Sequence, residues 1–151
     1  MSLCLTCGLC CDGTLFSSVP IDKPEAARLK GRVSFVRGGG SMKQPCRALD
    51  GSSCRVYEDR PATCRKFRCL ALWQVESGEV SEGDAQAFIA EVFTRRRRLA
   101  ETMRMEHDEQ GALKLARVQA KDGSISPETL NALERLTRLL MFLNLSKNGP
   151  A

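Results

Sequence analysis

The chain reads as an α-dominated α+β protein, a small metal-stabilised cysteine-cluster domain with a C-terminal helical hairpin packed on it. Three observations predict this. All eight cysteines fall within the first 69 of 151 residues. Bulky apolar residues are thinly scattered over that same stretch, so it needs a covalent or metal staple to hold a fold. Beyond Trp73, two long segments place apolar residues at helical spacing. The expected organisation is a cysteine-cluster part over residues 1–72 and a helical extension over residues 73–151, packed on the first part as one unit.

Each element has a local signal. Residues 4–13 read as a tight loop in which Gly8 and Gly13 supply the turns. Asp22-Lys23-Pro24-Glu25 reads as a helix start with a capping box, and the short helix to Lys30 stops at Gly31. Residues 33–36 are a strand candidate, followed by a flexible loop at Gly38-Gly39-Gly40-Ser41. Asp50-Gly51 is a hairpin signal that folds Cys46 and Cys54 toward opposed positions. Asp59-Arg60-Pro61 opens a short helix carrying Cys64, with Cys69 just beyond. From Ser81 to about Glu106, Ala85, Phe88, Ile89, Val92, Phe93, Leu99 and Met103 form an apolar face. Ser126-Pro127-Glu128 starts another helix, with Leu130, Leu133, Leu136, Leu140 and Leu143 as its stripe. Residues 109–124 fit a hairpin or a loop.

Charge and compartment narrow the chemistry. Residues 1–72 hold 12 Lys and Arg against 6 Asp and Glu, whereas residues 73–151 hold 11 against 12. The basic excess therefore sits with the cysteines, where metal thiolates would offset it, and does not by itself argue for nucleic acid. Residues 1–20 lack the basic and apolar regions of a secretory leader. No stretch approaches the roughly 18 apolar residues of a membrane span. A cytoplasmic location is expected, where thiols stay reduced. The adjacent pair Cys10 and Cys11 also occurs in secreted disulfide scaffolds, which keeps that alternative open.

The cysteines are Cys4, Cys7, Cys10, Cys11, Cys46, Cys54, Cys64 and Cys69, spaced CxxCxxCC, then C-x7-C, C-x9-C and C-x4-C. Soft thiolates select zinc, copper(I) or iron over magnesium and calcium. Eight sulfurs match up to two four-cysteine sites, one site with a redox pair, or a binuclear cluster with bridging sulfurs. Neighbours Cys10 and Cys11 are expected to diverge and serve different sites or different metals. The first three cysteines share the spacing of bacterial ferredoxins, but the fourth ligand of that pattern is missing. Zinc accepts distant ligands equally well, and spacing leaves zinc and iron both open.

The run Cys4-Leu-Thr-Cys7-Gly-Leu-Cys10-Cys11-Asp12-Gly13, then Pro45-Cys46, then Cys54-Arg55-Val56-Tyr57 through Arg60-Pro61, Cys64 and Cys69, resembles the YkgJ-type cysteine-cluster family. That family carries a CxxCxxCC domain described as zinc- or iron-chelating. The resemblance covers about residues 4–72 and includes all eight cysteines and the Tyr-x-x-Arg-Pro element. It implies that the eight cysteines are metal ligands. A similar domain in flagellin lysine methylases implies an iron–sulfur cluster and a protein-modification or electron-transfer context as an alternative. The resemblance supplies a site but no reaction, so whether the chain is an enzyme stays open, and no family motif appears from Trp73 onward.

Other signals are weaker. Arg47, Arg55, Arg65 and Arg68 neighbour cysteines and are candidates to lower thiol pKa values, or else ordinary surface cations. Arg60-Pro61 is expected to position the Cys64 segment, and Tyr57 and Phe67 to pack around the site. His107 is the only histidine and is expected to be exposed at a helix end; a ninth ligand or proton shuttle is the alternative. No P-loop, GxGxxG or recognisable S-adenosylmethionine site is present. Arg95 to Arg98 spread around a helix and read as a solvated face, with Glu91–Arg95 and Arg97–Glu101 as i,i+4 pairs. Phosphate contact through that run is the less favoured alternative. The helical half is the expected surface for a protein partner.

Overall fold

A computed structural model of the chain describes residues 2–145. Helix dominates, as the sequence predicts. The elements in order are α1 (Ser2–Cys7), β1 (Ser18–Pro20), α2 (Lys23–Arg28), β2 (Ser41–Lys43), β3 (Leu49–Asp50), β4 (Ser53–Cys54), α3 (Ala62–Lys66), α4 (Leu70–Glu76), α5 (Glu82–Thr102), α6 (Glu109–Asp122) and α7 (Pro127–Asn144). Strands β1 and β2 pair antiparallel with Val19 opposite Met42, and β3 and β4 form a second antiparallel pair.

The local signals act as expected at the helix starts. The Asp22 carboxylate accepts from the Glu25 N–H at 2.7 Å, and the Glu25 carboxylate accepts from the Asp22 N–H. The other oxygen of buried Glu25 accepts from the Ala62 N–H at 2.7 Å, which ties α2 to the start of the helix carrying Cys64. Ser81 caps α5 through the Asp84 N–H, and Ser126 caps α7 through the Thr129 N–H.

Two apolar clusters organise the chain. The larger joins Leu3 and Leu9 near the N-terminus and Ala71 and Leu72 of α4 to Ala85, Ile89, Val92 and Leu99 of α5, Leu113 and Ala116 of α6, and Leu133, Leu136, Leu140 and Leu143 of α7. The smaller consists of Val19, Ile21, Leu29, Val33, Met42, Ala48 and Val56. Helix α5 is the spine of the larger cluster and packs against α1, α4, α6 and α7.

Several expectations are corrected. Residues 109–124 contain helix α6, so the second half is a three-helix assembly; Asp108 caps α6, and Gly123 ends it with left-handed φ. Residues 4–7 are the end of helix α1, because Leu3 finds a buried seat against the larger cluster; the turn begins only at Gly8. Residues 33–36 make only isolated bridges, Val33 with Lys30 and Phe35 with Met42, since Met42 pairs in register with Val19. The Asp50-Gly51 hairpin forms, but its register places Cys54 opposite Leu49 rather than Cys46. Helix α5 ends at Thr102, and Leu130 stays exposed at the start of α7.

Arg96 departs furthest from expectation. It is buried in α5 rather than solvated. Its guanidinium donates to Asp12 Oδ2 at 2.5 Å, to Thr14 Oγ1 at 2.6 Å and to Glu109 Oε2 at 2.8 Å. Asp12 and Thr14 follow directly on the cysteine run, so one side chain binds that loop to α5 and α6. Glu91 and Arg95 pair as expected, at 2.5 Å, whereas Arg97 stands 3.7 Å from Glu109. With Arg96 buried, the arginine run presents no continuous basic surface.

Candidate metal centre

A cavity of about 350 Å³ lies where the two apolar clusters meet, and all eight cysteines line it. Leu3, Leu9, Leu72 and Ile89 contribute wall from the larger cluster, and Val19, Val33, Met42 and Val56 from the smaller. The cysteines arrive on six different supports. Helix α1 brings Cys4 and Cys7; the turn after Gly8 brings Cys10 and Cys11; the turn before β3 brings Cys46; strand β4 ends on Cys54; α3 carries Cys64. Cys69 is the N-cap of α4. None of the eight is in a disulfide.

Gly8 suits the assembly in two ways. Its φ is +68°, in the left-handed region that favours glycine, and a Cβ there would crowd the Ser52 Cα in the β3–β4 turn at 3.3 Å. Gly8→Ala is therefore expected to cost about 1–2 kcal/mol from the left-handed backbone alone, measured as a drop in denaturation midpoint. An unchanged midpoint would contradict the left-handed conformation of Gly8.

The thiols are held in a setting that opposes their charge. Burial pushes Cys7 and Cys11 up to about 12 and Cys64 up to about 11, and lifts Cys10 well above its ordinary value. Cys4, Cys46 and Cys69 are raised by the same cause, Cys4 even though its side chain reaches the surface. Neighbouring thiols add repulsion. Backbone donors oppose this: the Leu9 N–H points to Cys7, the Ala48 and Leu49 N–H groups to Cys46, and the Ala71 and Leu72 N–H groups to Cys69. Such bonds stabilise a thiolate once a cation neutralises it.

The raised thiols predict a pH dependence for the metal-free, reduced protein. In the unfolded chain the thiols ionise near 9, and in the fold as high as about 12. Between these values the unfolded state holds fewer protons, so stability is full below about 9 and falls as pH rises through the folded values. Denaturation at pH 7 and pH 10 checks this; equal or greater stability at pH 10 would contradict it.

Among the cations, Arg60 and Arg68 pull Cys4 down, and Arg60 also pulls Cys64 down. Arg55 pairs instead with Asp50 at 3.0 Å, and Arg65 donates to the Arg60 carbonyl at 2.6 Å. Arg60 was expected only to position its segment. It lies 3.6 Å over the Tyr57 ring and lines the cavity, and its Nε is buried with no hydrogen-bond partner. Phe67 packs edge-on against Phe16, both at the cavity. His107 is exposed between α5 and α6 and is not a lining residue.

Among the described residues, no three Cys, His, Asp or Glu side chains stand close enough to grip an ion as they lie. In type the donors fit a soft metal: eight sulfurs, backbone N–H groups aimed at three of them, and the partnerless N–H of Arg60, for which a metal-bound sulfur is a suitable acceptor.

The model of the CxxCxxCC family, described as "Putative zinc- or iron-chelating domain", matches residues 3–90. The chain belongs to this family. The CxxCxxCC match runs past residue 72, where the sequence resemblance stopped, and takes in α4 and the first part of α5. The structure gives a physical reason: Leu72 and Ile89 are wall residues of the cysteine cavity. No curated protein and no solved structure matches this CxxCxxCC chain. No described helix is long and apolar enough to cross a membrane.

Proposed function

We propose that this CxxCxxCC protein binds zinc or iron through the thiolates of Cys4, Cys7, Cys10, Cys11, Cys46, Cys54, Cys64 and Cys69. The observation that carries the reading is the gathering of all eight around one cavity, from segments as distant as residues 4 and 69. Gathering so many half-buried ionisable thiols around one cavity has no packing advantage that Val or Ala would not supply. Bound metal supplies the charge that lets them ionise, at the expense of one proton per ligating thiol. As a zinc scaffold, the protein offers its helical half to a protein partner.

A second reading, an iron–sulfur component for electron transfer or protein modification, is favoured by Arg60. Its buried N–H lacks an acceptor at the cavity wall, and hydrogen bonds to cluster sulfurs are a common means of tuning a cluster.

Thiol alkylation tests both readings. Anaerobically prepared protein, loaded with zinc or with iron and sulfide, is treated with a maleimide and the modified cysteines are mapped. Protection of all eight is expected with one of the two loads. Alkylation at the same rate with and without metal would overturn the proposal.

A further inference from the structure

We infer that the eight cysteines form two separate four-thiol sites, one from Cys4, Cys7, Cys10 and Cys69 and the other from Cys11, Cys46, Cys54 and Cys64. This rests on the metal-binding reading above and assigns its ligands. The apolar packing points to the same division. Cys7 and Cys69 pack against the larger cluster, whereas Cys46, Cys54 and Cys64 pack against the smaller.

The backbone explains how the crowded run is shared. The N–H groups of Cys11 and Asp12 both donate to the Gly8 carbonyl, at 2.8 and 3.0 Å, which winds the run into a tight turn. Cys11 is then fastened to the second set, because its carbonyl accepts from the Cys46 N–H at 2.7 Å. Cys10 directly follows Leu9, which is seated in the larger cluster with Cys7 and Cys69, and this leaves it to the first set. The two sites adjoin at the Cys10–Cys11 peptide, where the chain passes from one set to the other. Four thiols also satisfy a closed tetrahedral zinc site with nothing left over.

Zinc titration of the metal-free protein under anaerobic conditions, with a competing chromophoric chelator, tests the division. The unaltered chain is expected to take up about two ions, as four-cysteine sites require. Cys69→Ser and Cys64→Ser should each halve the zinc held tightly. Pairing Cys4→Ser with Cys69→Ser should remove no more than either alone, whereas pairing Cys69→Ser with Cys64→Ser should remove both ions. A within-set pair that loses both ions, or a cross-set pair that keeps one, would overturn the assignment. X-ray absorption on the zinc-loaded unaltered protein needs no variant to fold. About four sulfurs around each zinc and no zinc neighbour are expected; a zinc neighbour at sulfur-bridged distance would mean one shared cluster instead. Absence of any uptake by the unaltered chain would overturn the metal-binding reading itself, and the division with it.

Discussion

Arg96→Ala is expected to destabilise the protein by about 3–5 kcal/mol, because it removes one partner of a buried ion-pair network and leaves the others uncompensated. Asp12 and Glu109 would both lose their cation, and Thr14 its donor. The two carboxylates belong to segments 97 residues apart in the chain, one just after Cys11 and one opening α6, so the loss also loosens the cysteine loop, which keeps the Arg117 bond to the Thr14 carbonyl and the seat of Leu9. Arg96→Lys cannot reproduce a guanidinium that serves three acceptors and should recover only part of the loss. The decisive comparison is Arg96→Met with and without Asp12→Asn. Neutralising the abandoned carboxylate should restore part of the stability, a non-additivity expected of groups in one network. Equal costs with and without Asp12→Asn, or a total below about 1 kcal/mol, the range of an exposed pair, would show that Arg96 is solvated after all.

Stripping the metal should have the second large effect, and an uneven one. The smaller apolar cluster contains no aromatic residue among its buried members and only one leucine, Leu29. Its strands are two or three residues long. Hairpins of that size do not persist in water on their own. The larger cluster spans α5, α6 and α7 and contains most of the buried leucines. Hydrogen exchange on metal-loaded and metal-free protein should therefore show protection lost over residues 16–66 and retained in α5 and α7. Structural zinc contributes on the order of 10 kcal/mol to small domains, ample for this difference. Unchanged protection over residues 16–66 would mean that the cysteine half folds without metal.

The contrast between legible and hidden features has physical causes. Helices α5 and α7 could be read from their serine caps and apolar spacing, and α2 from its capping box, because those signals are local. Helix α6 buries only Ala112, Leu113 and Ala116, while Leu115 and Val118 are exposed; such a narrow contact face leaves no clear stripe. The β1–β2 pair joins residues more than 20 apart and depends on the cluster beneath it. The burial of Arg96 did have a signal: it falls four residues after Val92 and three before Leu99, within the apolar face of α5. A charge at that position needs buried partners, and Asp12, beside Cys11, is one. All eight candidate ligands could be named from the sequence through their spacing and the family resemblance, whereas the packing of Cys7 and Cys69 against one apolar cluster and of Cys46, Cys54 and Cys64 against the other required the fold. Arg60 and Gln44 at the cavity wall, each with a buried partnerless atom, had no sequence mark beyond the Arg-Pro element.

The central claim, that the eight thiols exist to hold metal, is tested most directly by elemental analysis of untagged protein purified without oxygen, with acid-labile sulfide measured on the same sample. The account predicts bound zinc or iron that accounts for the eight thiols, about two zinc ions per chain without sulfide, or iron with matching sulfide. Folded protein that carries neither metal, with all eight thiols freely titratable at neutral pH, would contradict it.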